Sequence, residues 1–153
     1  MEIRSYTAAD APAILRLFRE TILTVNLGDY TQEQCEVWAN SFTSIEVLDK
    51  RLKKSVTYIV ELDGRIVGFG NVNDLIEIDL LYVHKDFQRN GIASVILKKL
   101  ETYAKSIGFG ELTTEVSITA RKFFEAKGYR VEENQIKFVR GCEFVNFRMK
   151  KGL

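Results

Sequence analysis

The stretch that most restricts the fold is residues 75–116. An alternating run, LIEIDLLYV, passes through the polar turn HKDFQRNG into a long amphipathic segment, followed by a second alternating run, GELTTEV. Within the long segment Ile92, Val95, Ile96, Leu100, Tyr103, Ala104 and Ile107 recur at helical spacing on one face, while Lys98, Lys99, Glu101 and Lys105 fall outside it. A strand, one crossover helix and a strand require the two strands to run parallel in a common sheet. The first N–H groups of that helix lack partners of their own, and they sit at the end of a strand, where open α/β sheets commonly hold ligands.

The remaining elements follow from period and punctuation. EIRSY alternates as a short strand, TAAD supplies a helix-starting box with Pro12 in the permissive first turns, and Ile14, Leu15, Leu17, Phe18, Ile22 and Val25 carry a helix that Gly28 stops. A second box, TQEQ, starts a helix bearing Val37 and Trp38, and a further helical piece spans residues 44–54. SVTYIVELDGRIVGFGNV reads as two strands around Asp63-Gly64; LIEIDLLYV follows with no room for a helix, so the three pair antiparallel. SITARKFFEAKGY predicts a helix capped by Ser117 and stopped by Gly128, and the last residues form a hairpin turning near Arg140-Gly141.

With 153 residues, 46% hydrophobic content and one proline, residues 1–153 are expected to form a single domain. Lys plus Arg number 22 against 21 Asp plus Glu, so no global field draws the chain to nucleic acid or an anionic membrane. Cys35 and Cys142 have neither CxxC nor Cys/His spacing, which predicts reduced thiols and no metal. MEIRSYTAAD lacks an apolar signal core and no run approaches the ~20 apolar residues of a membrane span, so a cytoplasmic protein is expected.

In QRNGIA the amides of Asn90, Gly91, Ile92 and Ala93 open the long helix, whose N-terminus carries about +0.5 of an elementary charge. Gly91 and Ala93 are small enough to let an anion reach the backbone, and Arg89 adds a positive charge. Spacing alone fits either a phosphate site or an ordinary turn; the segment has neither the GK[ST] of a Walker loop nor the three glycines of GxGxxG.

QRNGIA resembles the Q/R-x-x-G-x-G/A signature of the GCN5-related N-acetyltransferases (GNAT), with Gln88, Gly91 and Ala93 at its signature positions. LLYVHKDFQRNGIASVIL and SITARKFFEAKGYRV resemble the family's flanking elements, and YTQEQCEVWA and RGCEFVNFRMKK a bacterial subgroup of small members. The resemblance implies an α+β fold (α/β in some schemes): a mixed, mostly antiparallel sheet of six to seven strands flanked by helices, with a splayed parallel pair forming an acetyl-CoA cleft. It implies pyrophosphate on the turn formed by Gln88, Arg89, Asn90, Gly91, Ile92, Ala93 and Ser94, and pantetheine beside Leu81, Tyr82 and Val83. The break in alternation at Leu80-Leu81 matches the family's strand bulge, which would free an N–H near Leu81 or Tyr82 for the thioester oxygen.

The implied reaction is direct acetyl transfer to a primary amine on a small molecule or peptide; a non-catalytic acyl-CoA binding or sensing module is the alternative. Glu77 and Asp79 share a parity on their strand and are the candidate bases, or else solvent-facing charges. Phe124 stands where many members carry a tyrosine acid, and Phe123 and Phe124 either pack on the acyl arm or fill the core. Acceptor contacts are expected from Asn26, Asp29, Tyr30 and Trp38, of which the two aromatic residues fit a structural role equally well. His84 reads as a connector, Cys35 as helix packing, and residues 50–54 (KRLKK) as either a ligand patch or a basic helix end favoured by its dipole. A homodimer is compatible with the family pattern.

Overall fold

Period-two alternation over residues 56–83 produces three antiparallel strands in the computed structural model, which describes residues 1–153. The strands are β1 (Glu2–Ser5), β2 (Val56–Leu62), β3 (Arg65–Val72), β4 (Glu77–Val83), β5 (Glu111–Ser117), β6 (Arg130–Val139) and β7 (Cys142–Gly152). They form one seven-stranded sheet ordered β1-β2-β3-β4-β5-β7-β6, in which only β4 and β5 pair in parallel. The β2–β3 and β6–β7 turns each contain two residues at positive φ, Asp63-Gly64 and Arg140-Gly141, as tight hairpins require.

Helices cover the sheet unevenly. α1 (Ala11–Thr24), α2 (Gln32–Ala39) and α3 (Ile45–Lys53) lie on one face, where Phe18, Ile22, Leu48 and Leu52 pack with Ile59, Phe69 and Leu80 of the strands. The crossover helix α4 (Ile92–Ser106) lies on the other, burying Ile96, Leu97 and Leu100 against Val67, Val72 and Leu112, and α5 (Arg121–Ala126) adds Phe124 to that side. Burying one such side chain contributes about 1.5–3 kcal/mol. Gly68 and Gly70 make the fit on β3: a Cβ on either would lie 2.7 Å from a methyl of Ile92 or Ile96. The missing side chains let α4 approach closely, which brings its first turn to the end of β4.

Two expectations are corrected. Ser117 does not cap a helix; it is the last residue of β5, because pairing with β7 persists to Ser117↔Asn146, and its Oγ instead accepts the amide of Ala120 at 3.1 Å. Ile107 is 45% exposed, since α4 ends at Ser106 and the chain turns away through Gly108 at φ +90.

The Thr7–Asp10 capping box does more than start a helix. Asp10 is buried and accepts two hydrogen bonds from the Arg4 guanidinium, at 2.8 and 2.9 Å, and one from the Thr7 amide at 2.8 Å. Burial alone would raise its pKa; Arg4 and Thr7 outweigh burial and hold the carboxyl below its ordinary value of 3.8. The resulting stabilisation is complete above the unfolded value and is lost as pH falls through the lower folded one. Asp10→Asn is therefore expected to lower the midpoint of thermal unfolding at pH 7 by roughly 3–10 °C, for a loss of about 1–3 kcal/mol. In a pH series the gap to the wild type should close below pH 3.8.

Candidate active site

Strands β4 and β5 hold register only at Glu77↔Thr113 and Ile78↔Thr114, then part. Where they separate, the Thr114 hydroxyl donates to the carbonyl of Ile78 at 3.1 Å. The opening is part of a cavity of about 1110 Å³ walled by Leu81, Tyr82 and Val83 on one side and Glu115, Val116 and Ser117 on the other. Its size is ample for a cofactor-length ligand.

A bulge on β4 controls which amides face this opening. Asn71 pairs with Leu80 and Val72 with Ile78, so Asp79 is the extra residue. The irregularity thus falls just before Leu80-Leu81, where the alternation had suggested it. Asn71 is fully buried, and its Oδ1 accepts the Leu80 amide at 2.8 Å, doing with a side chain what the distorted ladder would do with a carbonyl. Past the bulge the ladder resumes; His84 donates to the carbonyl of Val67 at 2.8 Å. Alternation then turns the Tyr82 amide toward β3 and those of Leu81 and Val83 toward the side β5 has left.

The turn above the opening is rich in free donors. Arg89 and Gly91 adopt positive φ (61 and 77), and the amides of Gln88, Arg89, Asn90, Gly91, Ile92, Ala93 and Ser94 donate no hydrogen bond within the chain; the first α4 amide to do so is Val95, to Gly91. Successive N–H groups of this kind make an anion-binding concavity at the positive end of a 15-residue helix. All of these residues except Asn90 line the cavity. The Gln88 side chain is committed elsewhere: its Nε2 donates to the carbonyl of Val83 at 2.7 Å, pinning the turn to the strand end.

Other candidate residues separate in space. Glu77 and Asp79 both line the cavity and point to the α1–α3 face, but both carboxylate oxygens of Asp79 are taken by Arg51, at 2.8 and 2.6 Å. Glu77 accepts from the Thr113 hydroxyl at 3.2 Å and lies 3.6 Å from Arg148, leaving it the less engaged of the two. Asn26, Tyr30 and Trp38 line the cavity, whereas Asp29 is exposed and outside it, since it follows the short turn of residues 26–28 on the solvent side. Tyr30 is structural as well: its hydroxyl accepts the Ile118 amide and donates to the carbonyl of Val145, both at 2.9 Å, and burial raises its pKa. Phe124 is buried edge-on between Phe123 and Tyr129, at 5.3 and 5.2 Å, with Phe123 beside it on the cavity wall.

His84 caps the turn at residues 85–87, its Nδ1 accepting the Asp86 amide at 3.1 Å, and Cys35 is buried in helix packing. Sequence reasoning missed Arg51, Lys137 and Phe144, all on the cavity wall. Arg51 was legible only within the basic run of residues 50–54, readable as a helix end or a ligand patch, and the other two come from the terminal hairpin.

An acetyltransferase (GNAT) domain model matches residues 26–151. The chain belongs to the GNAT family. This GNAT enzyme is 31% identical over 150 residues to the uncharacterized N-acetyltransferase YafP of Escherichia coli, covering 98% of this chain and 95% of that one. It superposes with a TM-score of 0.96 on a GCN5-related N-acetyltransferase from Rhodopseudomonas palustris, at 30% identity over 99% of this chain and 95% of the other. The fold is shared with the PaiA N-acetyltransferase of Thermoplasma acidophilum in complex with coenzyme A, at a TM-score of 0.84 and 21% identity over 99% and 98% of the two chains. The GNAT protein described here is accordingly an N-acetyltransferase, and no helix in it is long and apolar enough to cross a membrane.

Proposed function

We propose that residues 1–153 act as one domain that transfers the acetyl group of acetyl-CoA directly to a primary amine within a ternary complex. The observation that carries this reading is the run of unpartnered amides at residues 88–94, continuous with a cleft onto which the Leu81 and Val83 amides open. Those first donors, with Arg89, take the diphosphate. The Leu81 amide, rather than that of Tyr82, polarises the thioester oxygen; losing a donor of this type costs about 2.7–4 kcal/mol of transition-state stabilisation in other enzymes.

The acceptor enters from the side of Asn26 and Trp38, and its nitrogen attacks the thioester carbon. Glu77 is the base, reached through water, because Arg51 engages both oxygens of Asp79. Phe124 offers no proton to the leaving group, and none is essential: a thiol with a pKa of about 8.5 leaves readily as thiolate.

Incubation with acetyl-CoA and a panel of amines should release free thiol at a rate proportional to enzyme; absence of both thiol release and acetyl-CoA binding would overturn the proposal. Glu77→Gln should slow turnover by about 10²-fold, within the range of general-base effects, and flatten the rise of rate with pH while leaving acetyl-CoA affinity unchanged.

A further inference from the structure

The charge balance of the acceptor side narrows the kind of amine it fits. Three carboxylates line the cavity there, and each is already matched. Asp79 is gripped by Arg51, whose guanidinium also lies 5.2 Å from the Phe42 ring centre; Glu115 meets Lys137 at 3.1 Å; Glu77 faces Arg148 at 3.6 Å. No carboxylate on this wall lacks a cation. A ligand with several ammonium groups would have to leave water without gaining an unpaired anion, which is unfavourable for every charge buried.

Beside these pairs the wall is aromatic: Phe144 is the cross-strand neighbour of Lys137. Trp38 stands edge-on to Tyr30 and Phe144, with centroids 5.3 and 6.3 Å apart, and Tyr82 continues the surface. The Tyr30 hydroxyl is spent on the backbone of Ile118 and Val145, so that side chain offers a ring and not a polar tip. Such a surface favours a flat apolar body.

Resting on the acetyl transfer proposed above, we infer that the acceptor is a weakly basic amine carried on an aromatic body, an arylamine, and not a polyamine or aminoglycoside. An arylamine arrives uncharged at neutral pH. Its nitrogen lone pair forms the N–C bond to the thioester carbon, the C–S bond breaks with its electron pair on sulfur, and the nitrogen's proton passes through water to Glu77, which returns it to solvent. The products are the aryl amide and free coenzyme A. The arylamine brings no ammonium proton to be removed first, so Glu77 has only the proton released on N–C bond formation to take.

The test is kcat/KM at saturating acetyl-CoA for 4-methoxyaniline, phenethylamine, spermidine and kanamycin. The arylamine should exceed spermidine and kanamycin by at least about 10-fold, the size expected when a partly exposed charge gains no partner. Trp38→Phe and Phe144→Leu should each raise the arylamine KM several-fold with acetyl-CoA affinity, measured calorimetrically, unchanged. Lys137→Met, which frees Glu115, should raise spermidine turnover relative to the wild type. Preference for spermidine, kanamycin or phenethylamine over the arylamine overturns the inference and leaves acetyl transfer to amines standing. Acetyl-CoA binding without turnover of any amine also overturns it, and failure to bind acetyl-CoA overturns the underlying reading instead.

Discussion

Gly91→Asp is expected to weaken acetyl-CoA binding at least ~100-fold, or about 2.7 kcal/mol, in isothermal titration calorimetry. Gly91 sits at φ +77 directly before α4, and nothing lies within 4 Å of a Cβ built there. The chain therefore has room for the new side chain, and most of the loss falls on the ligand. A carboxylate would stand among the amides proposed to hold the diphosphate, adding repulsion at the positive helix end. Gly91→Ala separates the effects, since it carries only the left-handed strain of about 1–2 kcal/mol and no charge. Binding by Gly91→Asp within threefold of the wild type would remove the turn from the proposed site.

Asn71→Leu should reduce kcat by about 10²-fold, the effect of losing one oxyanion donor, while the KM for acetyl-CoA changes little. Asn71 touches no proposed ligand. Its Oδ1 holds the Leu80 amide and so fixes the bulge that turns Leu81 toward the cleft, while the proposed diphosphate site lies on a different element. Leaving the Leu80 amide buried and unpaired should also cost about 1–3 kcal/mol of stability, seen as a lower unfolding temperature. Since stability loss alone would not separate kcat from KM, steady-state kinetics on the folded variant decides the matter. An unchanged kcat would mean that the bulge does not position the reacting carbonyl.

Much of this architecture was written in local pattern. The two-residue hairpin at Asp63-Gly64, the helical face of Ile92, Ile96 and Leu100, and the parallel β4–β5 pair all follow from spacing and connection length, which are properties of adjacent residues. The same is true of the amides around Gly91, because a helix that starts on a glycine has no capping side chain to take its first donors. The shared face of Glu77 and Asp79 was also legible. Their difference was not, because it depends on Arg51, a residue 28 positions earlier on another element. The start of α5 was misplaced because a capping serine and a strand-ending serine look alike until β7 is alongside. Asp29 and Tyr30 are neighbours in sequence, yet only Tyr30 reaches the cavity.

By itself the sequence determined the order and type of the strands and helices, which strands must run parallel, and where a helix start leaves donors unpaired, since each depends on short-range geometry. Only the tertiary structure decided that the bulge falls at Asp79 under the hold of Asn71, that each cavity-lining carboxylate has a cation beside it, and that the terminal hairpin brings Lys137 and Phe144 to the cleft. Those facts arise from strands and helices distant in the chain meeting across one sheet, and electrostatic pairing depends on distance in space, not on separation along the sequence.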